Sequence, residues 1–221
     1  MDLAQFLKEN GQLFSEELGI NVAKQPFKWF LAAMLFGGRI SVSVAKRTYK
    51  AYESAKLTTP ERIASAPPAT LIWLHGKGGY TRYDNVTAAK MKTVADRLLK
   101  EYDGDMRKLD AASENPAALE AALRQFPGVG PVTAKIFLRE LRGIWRNAEP
   151  DLTDVEVLAA RELSFVAGKG RPIDELKEFW DKNKVEGYDI RHLESALVRR
   201  GLELRRRASR KPQEPTEPAN P

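Results

Sequence analysis

The sequence contains no cysteine and only two histidines in 221 residues. Without cysteine there is no disulfide, no thiolate zinc site and no iron–sulfur cluster held by cysteine. Two histidines also make a conventional transition-metal site unexpected. No apolar run reaches membrane-spanning length, and the first residues lack the basic flank and apolar core of an export signal. The sequence therefore predicts a cytoplasmic protein with no membrane partner and no metal–sulfur cofactor.

Acidic residues are too few to balance the basic ones. Lys and Arg number 36 against 30 Asp and Glu, which gives a net charge of +6 and a pI near 9.4. Such an excess suits a polyanionic partner. It is concentrated between Ala196 and Lys211, where Glu203 is the lone acid among the basic residues. Two interpretations remain open: a solvated helix end followed by a loose tail, or an arm that contacts phosphates.

Strand-like alternation is also missing, and apolar residues recur instead at helical spacing. These series predict an all-α protein, with helices near residues 27–35, 42–52, 86–102, 176–180 and 190–204. Clusters of proline or glycine predict loops at residues 67–68, 76–79 and 168–170. Residues 212–221 contain four prolines and no large apolar side chain, so a disordered tail is expected there. The length allows one large domain or two lobes.

The most distinctive segment runs from Phe126 to Ala134 and reads FPGVGPVTA. A helix with one apolar face leads into it, Pro127 and Gly128 end that helix, and a second apolar series begins at Val132. Glycines permit a tight turn, and the unpaired amides at the start of the second helix form an anion site together with the helix dipole. A helix-hairpin-helix that binds the phosphates of a nucleic-acid strand is predicted, with a plain structural corner as the alternative. The expected phosphate contacts are Gly128, Val129, Gly130, Val132, Thr133 and Lys135, and the following helix adds Arg139 and Arg142.

From about Pro26 to Val157 the chain resembles the endonuclease III-like, helix-hairpin-helix-GPD superfamily of DNA glycosylases. The resemblance is carried by the hairpin and by the segments 26–35, 41–46, 98–104 and Glu149-Pro150-Asp151. It implies a two-lobed, all-α fold with a DNA cleft between the lobes. The expected division is residues 1–25 packing with the C-terminal lobe, 26–144 as a lobe containing the hairpin at about 119–142, 145–211 as the rest of the second lobe, and 212–221 as the tail.

The resemblance also implies a carboxylate beside the base that is removed. Breaking an N-glycosidic bond builds positive charge on the sugar, which a carboxylate can stabilise or exploit by activating water. Asp151 lies 21 residues after Gly130 and follows Pro150, as the GPD pattern asks. Asp154 lies 24 residues after Gly130 and is better placed to cap the following amphipathic helix. Both are candidates, Asp151 slightly preferred, and the remaining interpretation is that each merely caps a helix.

Three positions depart from the family pattern. Val132 stands where the bifunctional members carry a Schiff-base lysine, so strand cleavage by that route is not expected. Gly38 stands where a polar wedge would fill the space left by the extruded base, with Arg39 and Ile40 beside it. Two interpretations remain open: Arg39 is the inserted group instead, or Gly37 and Gly38 form a helix-ending turn next to a surface arginine. The family's C-terminal cysteine cluster is replaced by the basic helix of residues 190–210. Lys135, one helical turn after Val132, could supply an amine but is expected to be a phosphate contact or an exposed charge.

Two further features complete the predicted site. The loop from His75 to Asn85 offers stacking and hydrogen-bonding groups for a base, the alternative being a surface loop packed on the next helix; its candidate residues are His75, Tyr80, Arg82 and Tyr83. Trp29 and Trp73 are expected in the core. The resemblance also implies a Na⁺ or K⁺ ion held at the hairpin by the backbone carbonyls of Arg124, Phe126 and Val129.

Together these observations predict a monofunctional DNA N-glycosylase that acts as a monomer on double-stranded DNA containing a damaged or mispaired base. It would swing the target nucleotide out of the stack and hydrolyse its glycosidic bond. One alternative is a DNA-binding protein of the same fold that has lost catalysis, which Gly38 at the wedge position favours. A weaker alternative is a lyase that uses Lys135.

Overall fold

The computed structural model describes residues 2–82 and 84–210. The all-α prediction is confirmed: within that part of the chain the only β feature is one isolated bridge between Arg142 and Trp145. Tyr83 and the expected tail at residues 212–221 lie outside the described residues. The helices, in chain order, are α1 (Leu3–Asn10), α2 (Phe14–Glu17), α3 (Pro26–Phe36), α4 (Val42–Ser54), α5 (Pro60–Ser65), α6 (Pro68–Gly78), α7 (Asp84–Tyr102), α8 (Arg107–Ala112), α9 (Pro116–Arg124), α10 (Pro131–Arg139), α11 (Asp154–Glu162), α12 (Pro172–Lys182) and α13 (Ile190–Arg210).

Local sequence explains where many of these helices begin. Six of them, α3, α5, α6, α9, α10 and α12, carry proline in the first turn, where its missing N–H has no intrahelical partner to lose. Ser41 caps α4 by accepting the N–H of Val44, and Asn115 caps α9 by accepting that of Ala118. The loop predicted at residues 76–79 is wrong, because α6 continues to Gly78.

The chain divides into two compact units. One comprises residues 13–151, and the other comprises residues 2–12 together with 152–210 of the described chain. The boundaries therefore differ from the expected ones at residues 25 and 144. Glu140 explains the first difference, since its carboxylate accepts the N–H groups of Phe14 and Ser15 at 2.9 and 3.0 Å. Arg142 explains the second, because it donates to the carbonyl of Pro150 at 2.7 Å.

In the larger unit α3 packs against α10 and against the hairpin turn at Phe126. The ring of Phe30 meets those of Phe126 and Phe137 edge-to-face, with centroids 5.9 and 5.0 Å apart. The indole N–H of Trp29, which is fully buried, donates to the carbonyl of Phe137 at 3.0 Å. These contacts fix the hairpin to the core of the unit rather than to a surface loop.

The smaller unit has its own hydrophobic core. α1 packs on α13, and α13 packs on α11. A Cβ at Gly201 would lie 2.1 Å from the carbonyl oxygen of Val155, so glycine permits this close approach. The buried core consists of Phe6, Leu7, Leu152, Ala159, Ala160, Val166, Ile173, Leu176, Trp180, Leu193, Ala196 and Leu197. Among the described residues of both units, none of the helices combines the length and the apolar character needed to cross a membrane.

Candidate nucleic-acid interface

The predicted helix-hairpin-helix is formed by α9, α10 and the turn between them. Gly128 has φ +87°, in the left-handed region that favours glycine. Gly130 precedes α10 with extended backbone, φ −89° and ψ 178°, and Pro131 occupies the first turn. The aromatic contacts of Phe126 anchor the turn from below. The corner is therefore formed by a glycine with positive φ and by a proline in the first turn of the next helix, as the sequence predicted.

This corner lies at the surface of the larger unit. Gly128, Gly130 and Pro131 are exposed, and the side chain of Val132 is 54% exposed. A Cβ at Gly130 would meet no heavy atom within 4 Å, and within the described chain no side chain caps the start of α10. Thr133 is buried, so its first-turn position offers backbone rather than side chain. An anion can therefore approach the amino end of α10 closely.

Two other segments lie against the hairpin. A Cβ at Gly37 would come within 2.0 Å of the Thr133 hydroxyl, so the turn after α3 sits directly on the start of α10. Lys90 of α7 covers Gly128, its Cδ 3.0 Å from the place a Cβ would take. We call this surface, formed by residues 37–40, Lys90 and residues 128–133, the hairpin face.

The predicted wedge position lies on the hairpin face. Gly38 and Ile40 are half-buried, and Arg39 is exposed. A Cβ at Gly38 would be 3.6 Å from the hydroxyl of Tyr80, so the turn also borders the loop after α6. Of the three residues, Arg39 is the one whose side chain reaches solvent beside the hairpin.

His75 is a core residue rather than a loop residue. It is fully buried on α6, and its Nδ1–H donates to the carbonyl of Asp84 at 3.2 Å. Its Nε2 lies 3.1 Å from the hydroxyl of Tyr52, which donates to it. Burial lowers the pKa of His75 to about 4. Its expected role in reading a base is therefore wrong. The spacing of Leu71, Leu74 and Gly78 on the same buried face was the available signal.

The rest of the predicted base-reading loop is divided between core and surface. Tyr80 is buried against the His75 ring, with centroids 5.1 Å apart, and its hydroxyl lies 2.9 Å from that of Thr87. Arg82 is exposed. The expectation for Trp73 is also wrong: it is 59% exposed, with the Lys77 ammonium 4.5 Å from its ring centroid, whereas Trp29 is buried as expected.

Two of the three basic residues expected along α10 and just beyond it are internal. Arg139 and Arg142 are buried, and only Lys135 is partly exposed. Arg142 forms an ion pair with Glu149 and also donates to the carbonyl of Pro150. Arg139 lies 5.6 Å from the centroid of the Phe14 ring. The two contacts of Arg142 hold residues 149–150 against the segment just beyond the hairpin. Asp151 is the next residue in the chain.

The two candidate carboxylates belong to different units. Asp151 is exposed and ends the larger unit, in the stretch that Arg142 holds. Asp154 is exposed and is the first residue of α11. Neither is the helix cap: Thr153 is, and its backbone N–H donates to Glu156 at 2.7 Å in a capping box. The idea that Asp154 caps the helix is corrected accordingly.

The carbonyls expected to hold a monovalent cation surround the same turn. The carbonyl of Phe126 accepts the N–H of Val129 at 3.1 Å, so one of its lone pairs is used by the turn itself. Arg124 is the last residue of α9. A cation on these three carbonyls stays a prediction.

The basic end of α13 contributes both structural and exposed charges. Arg199 donates to the carbonyl of Asn10 at 2.7 Å, and Arg200 pairs with Glu162 and Glu203. Residues 205–207 are exposed. The predicted phosphate-contacting arm is thereby limited, within the described residues, to the last two turns of the helix.

No family model matches the sequence, and no curated protein matches it. Among solved structures, the 3-methyladenine DNA glycosylase MagIII of H. pylori, bound to 1,N6-ethenoadenine, is similar with a TM-score of 0.57 and 13% identity, covering 94% of this chain and 99% of that chain. A trapped endonuclease III–DNA covalent intermediate, an estranged-adenine complex, is similar with a TM-score of 0.50 and 16% identity, covering 100% of this chain and 94% of that chain. At these identities the likeness establishes the fold. The chain shares the all-α fold of these two structures, as the resemblance implied.

Proposed function

We propose that this protein is a DNA N-glycosylase of base-excision repair that acts on double-stranded DNA containing a damaged or mispaired base. The observation that carries the proposal is the exposed hairpin corner, with an uncapped helix start and an open Gly130, in a chain of glycosylase fold. A backbone of this kind binds phosphate without reading sequence. It suits an enzyme that must recognise lesions in any sequence context.

The proposed reaction is hydrolysis of the N-glycosidic bond. The hairpin face binds the phosphates of one strand, and the target nucleotide leaves the base stack. As the bond between C1′ and the base nitrogen breaks, positive charge develops on the sugar, and the carboxylate of Asp151 stabilises it or takes a proton from the attacking water. The water oxygen becomes the C1′ hydroxyl, and the base leaves with a proton. Asp154 is the alternative carboxylate.

Val132 supports a monofunctional enzyme. Its exposed side chain at the start of α10 cannot form a Schiff base, so the product should be an abasic site in an unbroken strand. Lys135 is proposed as a phosphate contact. A Na⁺ or K⁺ ion on the carbonyls of Arg124, Phe126 and Val129 would add positive charge beside the bound phosphate when present.

A lesion panel tests the proposal. Duplexes with single alkylated, oxidised, deaminated or mispaired bases, including 3-methyladenine and 1,N6-ethenoadenine, are incubated with the protein and divided. We expect strand breaks at one or more lesions only in the half that is treated with alkali. Breaks without alkali would contradict the role given to Val132, and no breaks in either half would contradict the glycosylase proposal.

Replacing the candidate carboxylates distinguishes their roles. Asp151→Asn should lower the single-turnover rate by at least 100-fold, since the charge that meets the developing cation is lost. Asp154→Asn should then change the rate little, and Asp96→Asn, an exposed change on α7, is the matched control. The reverse ranking would assign the role to Asp154.

Gly38 supports a second candidate, a DNA-binding protein of this fold without catalysis. Gly38 itself has no side chain to fill a vacated base site. This candidate expects salt-sensitive duplex binding, no product from any lesion, and no effect of either aspartate substitution. A lyase using Lys135 would instead be trapped on abasic DNA by borohydride.

A further inference from the structure

We propose that Lys90 of α7 is a phosphate-binding residue of the hairpin face, although it lies outside the hairpin sequence. This inference rests on the proposed function only in assuming that a DNA strand docks at the hairpin corner. The path of α7 brings this helix against the hairpin turn. Arg97 donates to the carbonyl of Gln125 at 2.5 Å, and its guanidinium lies 5.0 Å from the centroid of the Phe126 ring. Lys90 is two helical turns earlier, so it lies on the same face of α7.

The stem of Lys90 lies directly over the hairpin turn. Its Cδ is 3.0 Å, and its Cβ 3.7 Å, from the place that a Cβ of Gly128 would take. Only one further methylene separates Cδ from the ammonium, so the charge is confined to the neighbourhood of the corner. Glycine is therefore required at position 128 for two reasons. Its backbone is left-handed, and the lysine stem occupies the space that a side chain would need.

The ammonium of Lys90 is available for a ligand. Lys90 is exposed, and the structure records no hydrogen bond or ion pair for it with any other described residue. Its neighbours on α7 are engaged: the Lys92 ammonium donates to the carbonyls of Ala64 and Ala66, and Arg97 pairs with Glu101. Lys90 thus differs from the structural cations around it.

The chemistry of the corner asks for such a charge. The amides at the start of α10 offer directed donors but only a partial positive charge. A phosphodiester carries a full negative charge, and an ammonium beside the amides complements it as a compact point charge. Each phosphate neutralised by lysine releases condensed counterions, which adds about 0.9 to the slope of log K against log salt. Lys90 should account for one such increment.

The test uses the full chain and an undamaged duplex, so it does not depend on catalysis. Lys90→Met keeps most of the apolar stem over Gly128 and removes the charge. Its affinity should fall by roughly five- to ten-fold near 0.1 M salt, with the slope of log K against log salt smaller by about 1. Lys90→Arg should restore both quantities. The control is Lys100→Met, which makes the same charge change about 15 Å further along α7.

The outcomes separate this inference from the proposed function. A slope for Lys90→Met equal to that of the wild type, or an equal loss in Lys100→Met, would overturn the role of Lys90. A wild type that cleaves no lesion while Lys90→Met still lowers the slope would refute the glycosylase proposal and support the phosphate contact. Unfolding in urea checks that the variants fold; if Lys90→Met does not, Lys90→Gln takes its place with the same expected slope.

Discussion

Gly128 and Gly130 occupy neighbouring positions in the hairpin but serve different physical purposes. Gly128 adopts a left-handed backbone, and the stem of Lys90 lies where a side chain at this position would be. Gly130 is extended, with a backbone that any residue can adopt, and a Cβ there would point into open space. Folding therefore needs the first glycine. The second is needed only if something must approach the backbone closely.

Alanine substitutions separate these two purposes. Gly130→Ala should leave the free energy of unfolding unchanged or raise it by up to about 1 kcal/mol, because the unfolded chain loses freedom. It should nevertheless weaken duplex binding, since the methyl group stands where the phosphate approaches. Gly128→Ala should lower the free energy of unfolding by about 1–2 kcal/mol. Urea denaturation and binding titrations measure both, and equal destabilisation by the two changes would contradict the distinction.

At the scale of elements, polar side chains of the segment that follows the hairpin hold distant segments in place. Glu140 accepts the first amides of α2, and Arg142 holds residues 149–150 through Glu149 and the Pro150 carbonyl. Both side chains are buried. A buried charge is costly unless it is paired or hydrogen-bonded, so these partners help each side chain to stay charged. Arg142 connects the hairpin region to the loop that carries Asp151.

Arg142→Met should reveal that connection. Loss of the guanidinium removes this donor from the Pro150 carbonyl and this ion pair from Glu149, so the free energy of unfolding should fall by about 2–3 kcal/mol. If Asp151 acts in the reaction, the single-turnover rate should fall even at temperatures where the variant is fully folded. Arg142→Lys should not restore the rate, because an ammonium cannot make both contacts in the same geometry. Full rates in a destabilised Arg142→Met would show that the tie serves stability alone.

Helical spacing was sufficient to predict α3, α4, α7, α12 and α13, because the apolar residues on the buried face of each helix recur every three or four positions. It failed where partners come from elsewhere. Glycines at residues 76–79 read as a loop, yet Gly78 is helical, and a Cβ there would lie 2.0 Å from the Thr48 hydroxyl. Residue type also misled: Trp73 is outside and His75 inside, since Leu71 and Leu74 define the buried face.

The candidate site divides in the same way. The hairpin corner was predictable because its glycines, prolines and first-turn amides are adjacent in the sequence. The sequence predicted Arg139 and Arg142 on a basic surface. In the folded chain they are buried instead, Arg139 beside the Phe14 ring and Arg142 paired with Glu149, and sequence spacing does not predict these contacts. Lys90 gave no signal, because it lies 38 residues before Gly128 and meets it only through the path of α7.

At the scale of the whole molecule, two buried groups in the larger unit set opposite dependences of stability on pH. Burial lowers the pKa of His75 to about 4 and raises the pKa of Glu140. Between pH 4 and 6.5 His75 is protonated in the unfolded chain but neutral in the folded chain. His75 therefore lowers the free energy of unfolding as the pH falls. Glu140 acts in reverse, since its protonation in the folded state adds stability on acidification.

The histidine term can be isolated because Glu140 and the paired surface carboxylates remain in a His75→Gln variant. Wild type should lose roughly 3 kcal/mol between pH 6.5 and 4 through His75, as its lowered pKa implies. The variant, whatever its stability at pH 7.5, should lack that component, so the difference between the two free energies of unfolding should change by this amount as the pH falls. Urea titrations followed by tryptophan fluorescence at pH 7.5, 6.5, 5.5 and 4 measure it. Parallel curves would mean that His75 is protonated in the folded protein as readily as in the unfolded chain, and that its burial does not keep it neutral.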